Sequence, residues 1–342
     1  MERRPPSPPL RTTIGLLGDM MLGGQVGERL AAGQRVFSDD IASLLAGADL
    51  VVANLECCIT TSTQRWPSPS KRFYFRAPPA AADALAELGV DCVTLANNHS
   101  MDYGEVGLSE TIDRLTRVGI DVVGAGADVM RARAPSVVEV NGVRVGVMGV
   151  TDHPPEWAAT RTSPGVAFAR LSAGVPEWLQ TRIETLAQAC DVVLLSPHWG
   201  PNLARTPAPY VRRAAQEFID AGATLVAGHS AHLCHGTADR VIFDLGDFVN
   251  DYEPHPLVRM DLGAVWLVDL DPSGRPARAR VFPTVCRAGQ VTLASGADRA
   301  RFAEGLVAET LEIELPDIGR GGDPADHARI AQLNVGDRSA LR

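Results

Sequence analysis

Side chains that bind metals and move protons recur along this chain at one kind of place, the carboxyl end of a short apolar run. Asp19 follows the run 12–17, Asn54 and Glu56 follow 50–53, and Asn97, Asn98, His99 and Asp102 follow 90–96. Farther on, His198 follows 192–196, His229 and His232 follow 224–227, and Asp247 and Asp251 follow 241–245. In open α/β sheets, ligands bind in the crevice outside the carboxyl ends of the strands, so groups at those ends face common space. Imidazole nitrogen with carboxylate and amide oxygen suits Zn, Mn or Fe, and no thiolate-rich set competes with it. Two such ions sharing one carboxylate would hold a hydroxide and polarise a phosphoryl or carbonyl oxygen.

Each group also has a plainer reading. Asp19 after Gly18 suits a turn or a helix cap, Glu56 a solvated loop, and Asn97 and Asn98 the cap of the next turn. His198 before Trp199 suits a packed core. In the run His229 to His235, His235 is the weakest candidate, and Cys234 reads as a buried inert thiol. His153, His255 and His327 read as surface or loop residues. Convergence of six clusters on strand ends favours function over these separate explanations.

The elements that must position these groups alternate between strand and helix. Helical patterns cover 41–48, 80–88 closed by Gly89, 108–118 closed by Gly119, 176–189 and 209–221. A strand is expected at 120–123. Asn141-Gly142, the favoured two-residue turn, joins strands 137–140 and 143–150. A second hairpin, 264–269 with 277–282, turns around 271–275. The tail carries one expected helix, 299–309. Alternating strands and helices argue an α/β fold with a mainly parallel sheet, and two hairpins among the helices argue a layered sandwich. No Gly-rich dinucleotide fingerprint or P-loop is present.

At 342 residues and 45% hydrophobic, the chain is long and apolar enough for one large α/β domain or two ordinary ones. The net charge of −9 and the lack of a basic stripe exclude an ordinary nucleic-acid binder. Lys71 is the only lysine. No apolar run reaches the length of a membrane span or a signal core. The six cysteines form no CxxC pair, which fits a reduced compartment. A cytoplasmic protein acting on a small molecule or polymer, away from membranes, is the expectation.

Seven motifs stand in order: Gly18-Asp19-Met20-Met21-Leu22, Asn54-Leu55-Glu56, Phe75-Arg76-Ala77-Pro78, Leu95-Ala96-Asn97-Asn98-His99 with Asp102 and Gly104, Ser196-Pro197-His198-Trp199-Gly200, Gly228-His229-Ser230-Ala231-His232, and Gly246-Asp247-Phe248-Val249-Asn250-Asp251-Tyr252. Together, over about 12–285, they resemble the CapA family, named for poly-γ-glutamate capsule synthesis and similar to calcineurin-like metallophosphatases. The resemblance implies a layered αββα sandwich over 12–290, after a disordered tail at 1–11 and before a helical extension at 291–342. It implies one or two divalent transition metals (Mn, Fe or Zn) held by Asp19, Glu56, Asn98, His198, His229 and His232, with Glu56 as the bridge. His99, with Asp102 and Asn97, would be the catalytic group. Asn54, Ser230, Asp247 and Asp251 would face substrate or support the ligands. Two departures from the metallophosphatase pattern predict one firm metal position and a second that is weak or absent. Met21 stands where a histidine is usual, and two residues rather than one separate His229 from His232. The implied function is a metal-dependent hydrolase or biosynthetic enzyme acting on a phosphorylated or amide-linked small molecule or polymer. A plain phosphoesterase and a non-catalytic accessory protein of a polymer-synthesis complex are the alternatives.

Overall fold

The computed structural model describes residues 12–69, 71–252, 255, 258–306, 308–309 and 312–316. The expected tail at 1–11 and the end of the chain from 317 lie outside them. Among the described residues the chain builds two large mixed sheets, of nine and seven strands. The first has a parallel set of Thr13–Met20, Leu50–Leu55, Cys92–Thr94 and Asp121–Val123. It continues antiparallel through Leu262–Leu270, Pro276–Arg287 and Gln290–Leu293. The second has a parallel set of Val143–Thr151, Val192–His198, Leu225–Ala227 and Val241–Leu245. Ser136–Val140 and Cys234–Ala238 flank it antiparallel.

Alternation along the strands builds the layers, because successive side chains leave opposite faces of a sheet. Ile14, Leu16, Leu50 and Val52 of the first sheet pack with Val145, Val147, Val192 and Leu194 of the second in one shared core. Leu17, Val51, Ala53 and Leu55 turn the other way, onto the helices Gly24–Ala31, Asp39–Leu45, Ala80–Leu88 and Gly104–Arg117. Met148, Val150, Val193 and Leu195 likewise face the helices Glu177–Ala189 and Pro209–Asp220. Strands buried on both faces read as continuous apolar runs, as these do. The molecule is therefore the αββα sandwich expected, with a four-strand parallel set in each sheet rather than one central sheet.

Several elements differ from their expected bounds. The strand expected at 12–17 runs on to Met20, that at 50–53 to Leu55, and that at 192–196 to His198. Asp19, Asn54 and His198 thus lie within the last residues of strands, held by ladder hydrogen bonds, rather than in the loops beyond. The cause is a neighbour: the short strand Asp247–Val249 lies parallel against Thr13–Met20, and Asp19 N–H donates to Gly246 O at 2.9 Å. Gly18 permits this approach, since a Cβ there would meet Gly246 O at 1.8 Å. The strand at 90–96 contracts to Cys92–Thr94, and the helix at 108–118 starts earlier, at Gly104. Helix Gly24–Ala31, rich in glycine and polar residues, carried no clear signal in the sequence. In the tail, the helix is Gly296–Gly305, and Ala308–Glu309 forms a strand against Cys234–Ala238 instead of a last helical turn. Gln290–Leu293 and Glu312–Glu314 both pair with Pro276–Arg287, so the described part beyond 290 combines helix Gly296–Gly305 with strands that join the sheets. The Asn141-Gly142 turn has both residues at positive φ, 52° and 77°, as a two-residue hairpin demands.

Candidate metal centre

The carboxyl ends of both parallel sets meet at one edge of the sandwich. Asp19 ends the first strand; its Oδ1 lies 2.9 Å from His229 Nδ1, and its Oδ2 lies 3.4 Å from His232 Nδ1. The residue just after Leu50–Leu55 would normally be exposed, but Glu56 is fully buried, and its N–H donates to Met20 O at 3.0 Å. Asp247, at the start of the inserted strand, holds His232 Nδ1 at 2.8 Å. Asp19, Glu56, His232 and Asp247 each offer one ligand atom, all within 4.8 Å of one another and all buried. Asp247, expected to support the ligands or face substrate, stands inside this group.

Glu56 divides its two oxygens between two sets of groups. Oε2 lies 3.8 Å from His232 Nδ1. Oε1 lies 3.4 Å from His198 Nε2 and 4.0 Å from His99 Nε2. Neither Glu56 oxygen, neither His198 ring nitrogen, nor the Asn98 side-chain oxygen makes a hydrogen bond, although all are buried. Orphaned buried polar atoms are costly and rare, and a cluster of them at convergent positions is what a coordination site presents without its ion. The donor set is oxygen and imidazole, which fits Mn, Fe or Zn.

Around these atoms a hydrogen-bonded frame sets orientation. Asn54 Nδ2 donates to Asp19 Oδ1 at 2.8 Å and its Oδ1 accepts from Asn97 Nδ2 at 2.9 Å. Asn97 Oδ1 accepts from the His99 N–H at 3.0 Å and from Ser100 Oγ at 2.9 Å, so it braces the His99 turn. His99 Nδ1 lies 2.7 Å from Asp102 Oδ2, and Asp102 Oδ1 pairs with Lys71 Nζ at 2.8 Å. Asp102 also accepts from the Phe75 N–H, and the Phe75 ring stacks on His99 with centroids 3.9 Å apart. The carboxylate selects the Nδ1–H tautomer of His99 and leaves Nε2 facing Glu56.

His229 and His232 leave a turn with unusual backbone. Ser230 and His232 have φ of 107° and 60°, a conformation that costs a non-glycine residue about 1–3 kcal/mol. Asp244 holds this turn, accepting from the Ala231 and Gly246 N–H groups at 2.7 and 2.8 Å. The two-residue spacer thereby brings both imidazoles to Asp19. His229 Nε2 is engaged at 3.0 Å by Ser196 Oγ, so both of its nitrogens have protein partners. Ser230 bonds Gly200 O through its hydroxyl and Asp19 through its N–H. Asp251 lies apart from the acids, accepting from the Gln25 N–H at 2.7 Å at the start of helix Gly24–Ala31. Met21, where a histidine was the usual residue, is buried, with Sδ accepting from the Gly23 N–H.

Burial and crowding polarise the titrations. Burial and the Asp19 charge push Glu56 well above the usual carboxylate range. Burial pushes Asp247 up to about 6 against the pull of His232. Burial also opposes ionisation of Asp19, but hydrogen bonds from His229 and His232 hold it well below its ordinary value. His232 is raised well above the usual imidazole range, because Asp247 and Glu56 outweigh burial. Burial depresses His99 to about 4 despite Asp102, and burial with the neighbouring His153 holds His198 well below the usual imidazole range.

Lys71 and Asp244 carried no site signal in the sequence, and Ser196, Phe75 and Tyr252 stood in the motifs without an assigned role. Tyr252 packs edge-on against His232 with centroids 5.6 Å apart, and its buried hydroxyl has no partner. A cavity of about 400 Å³ adjoins the centre through Tyr252, lined also by Asn250, Met260 and Cys286. A larger one, about 630 Å³, lies between Leu108, Asp121 and Val137 and touches none of the site residues. None of the described helices is long and apolar enough to cross a membrane. The six cysteines are all free.

A layered α/β sandwich with buried acids and imidazoles gathered at its carboxyl edge is the class this architecture defines. Residues 13–252 match the family described as bacterial capsule synthesis protein PGA_cap, and the chain belongs to that family. A probable polyglutamine synthesis accessory protein of Mycobacterium tuberculosis is 32% identical over 252 residues, 69% of this chain and 65% of that protein. The PGA biosynthesis protein CapA of Bacillus subtilis is 28% identical over 249 residues, 70% of this chain and 63% of its own length. The capsule biosynthesis protein CapA of Bacillus anthracis is 28% identical over 248 residues, 70% and 60%. The chain thus spans rather less than two thirds of the curated relatives it matches.

Proposed function

We propose that this protein is a metal-dependent enzyme acting on a phosphorylated or amide-linked substrate in the metabolism of a polyglutamate-type polymer. The observation that carries the reading is the group of four buried ligand atoms from Asp19, Glu56, His232 and Asp247, all within 4.8 Å. Three buried carboxylates with no arginine or lysine among them are compensated by a divalent cation better than by imidazoles alone. Asp19, Glu56, His232 and Asp247 would hold the first ion. Glu56 Oε1, His198 and Asn98 are available to a second.

A divalent ion in such a site polarises a phosphoryl or carbonyl oxygen and lowers the pKa of bound water. The chain's own residues do the rest. Asn54 and His229 fix the Asp19 carboxylate. His99, held by Asp102 and Lys71, presents Nε2 toward Glu56, where it can accept or return a proton. Phe75 and Tyr252 cover the histidines and limit water. The experiment is metal analysis of protein purified without chelator, followed by assays on phosphoesters and γ-glutamyl amides. At least one transition metal per chain and turnover abolished by chelation are expected; less than a tenth of an equivalent after metal-replete expression would defeat the reading.

A second reading rests on the name of the Mycobacterium relative, an accessory protein. Under it the ion is structural, and the protein supports a polymer-synthesis complex. Full metal loading with no turnover on either substrate class, and with every coordination position filled by protein atoms, would favour it.

A further inference from the structure

His153, expected as a surface or loop residue, lies in the loop after Val143–Thr151 and stands against the centre. Its ring centroid lies 5.0 Å from that of His198, with the planes tilted by 51°. Asp152 Oδ1 takes its Nδ1, and the Asp152 side chain is only 7% exposed. Asp152 Oδ2 is itself held, by Tyr210 Oη at 2.7 Å and the Gly200 N–H at 3.3 Å. The His153 backbone is pinned as well, since Thr151 Oγ1 donates to His153 O at 2.6 Å. The His153 ring is therefore placed by a buried carboxylate, which leaves Nε2 free. A carboxylate on the far nitrogen of an imidazole is the usual support of a metal-binding histidine.

His198 is the second, independent observation. It is 1% exposed, and neither ring nitrogen has a hydrogen-bond partner, while Nε2 lies 3.4 Å from Glu56 Oε1. Two imidazoles bound to one ion at about 2.0–2.1 Å, roughly at right angles or slightly wider, hold their ring centroids about 5 Å apart. The His153–His198 spacing matches that geometry. His229, the imidazole that the metallophosphatase pattern would supply, is held on both nitrogens by Asp19 and Ser196.

Resting on the metal-dependent reading above, we infer that His153, oriented by Asp152, is a ligand of the second ion together with His198 and Glu56 Oε1, in the place of His229. Its side chain is 34% exposed, so this second position lies toward solvent, where a substrate oxygen can reach it. The first position, among Asp19, Glu56, His232 and Asp247, is buried.

The test is a zinc titration of chelator-stripped protein by calorimetry, with metal content measured after gel filtration. Wild type is expected to take two equivalents, and His153→Ala to keep the tighter one and lose the other. Asp152→Asn should weaken the second equivalent about 10–100-fold, the usual effect of losing an outer partner. His229→Gln should retain it. Far-UV circular dichroism and metal-free thermal denaturation check that the variants are folded, and His153→Gln serves should the alanine variant fail. A second equivalent of unchanged affinity in a folded His153 variant overturns the inference, as does a wild type that binds only one. Wild type that binds none defeats the metal-dependent reading itself.

Discussion

Two buried aspartates sit at opposite ends of one strand and are treated in opposite ways. Asp269 lies across from Thr13, at the start of Thr13–Met20; Asp19 lies near its end, about 20 Å away at the rise of a strand. Asp269 accepts from Thr13 Oγ1 at 2.9 Å, from Arg280 at 2.8 Å and from Arg278 at 2.7 Å. Burial opposes its ionisation, yet the two guanidinium groups hold it below the usual carboxylate range. At the other end, Asp19, Glu56 and Asp247 have only imidazoles and amides for company, and Glu56 is forced well above its ordinary value. One end is a finished ion-pair cluster with permanent cations from the protein. The other is a crowded set of acids held by imidazoles and neutral groups, which is where the proposed ion would sit.

The sharpest way to break this contrast is Glu56→Gln. It replaces one carboxylate oxygen with an amide nitrogen and removes the charge that both proposed metal positions would share, and zinc affinity is expected to fall about 1,000-fold or more, beyond the ~10–100-fold of an outer partner. Metal-free, the same variant should be as stable as wild type or more so, since it removes an unpaired buried carboxyl. Zinc at a hundredfold excess over Kd should stabilise wild type by about 2.7 kcal/mol and leave the variant unmoved. A metal-free Glu56→Gln protein markedly less stable than wild type would mean the carboxylate is structurally satisfied.

Asp269→Asn should behave in reverse. It strands the partly exposed Arg280 and leaves Arg278 paired with Glu314 alone, so a loss of about 2–3 kcal/mol is expected in urea denaturation, with zinc affinity unchanged. A loss of metal binding in that variant would show the two ends to be coupled.

The pH dependence carries opposite signs at the two ends. Asp269 has a depressed folded pKa, so its contribution is present above the unfolded value of about 3.9 and is lost as pH falls through the folded one. Asp247 is raised to about 6, so its contribution is present below the unfolded value and is lost as pH rises through about 6. Metal-free stability of wild type relative to Asp247→Asn should thus fall by about 2 kcal/mol between pH 4 and 7. Relative to Asp269→Asn it should stay level over that range and decline only below about pH 4. Parallel profiles for the two variants would contradict the contrast.

The smallest effect is expected at Asp251, which the sequence suggested would face substrate or support the ligands and which accepts from the Gln25 N–H at the head of helix Gly24–Ala31. Asp251→Ala should cost about 1 kcal/mol, the value of a helix cap, and leave zinc affinity unchanged. A tenfold change in affinity would return Asp251 to the site.

Much of this was legible in advance because strand ends and turn motifs are local. The apolar runs, the Asn141-Gly142 hairpin and the six polar clusters each need only a few neighbouring residues to be read. Bounds went wrong where a distant strand intervened, as at Asp19 and His198, since ladder pairing extends a strand past the point where its own pattern stops.

The sequence by itself determined the chemistry on offer: oxygen and imidazole donors at the ends of buried strands, in an order that fits the PGA_cap family. The tertiary structure decided which donors meet. Asp247 joins Asp19 because a three-residue strand inserts beside Thr13–Met20. His229 is tied to Ser196, and His153 is brought to His198, because parallel pairing sets Thr151 beside His198 and a bridge sets His198 beside His229. Those pairings join residues tens to hundreds of positions apart, and no local periodicity encodes them; only the closing of two sheets over a common core brings their edges into one site.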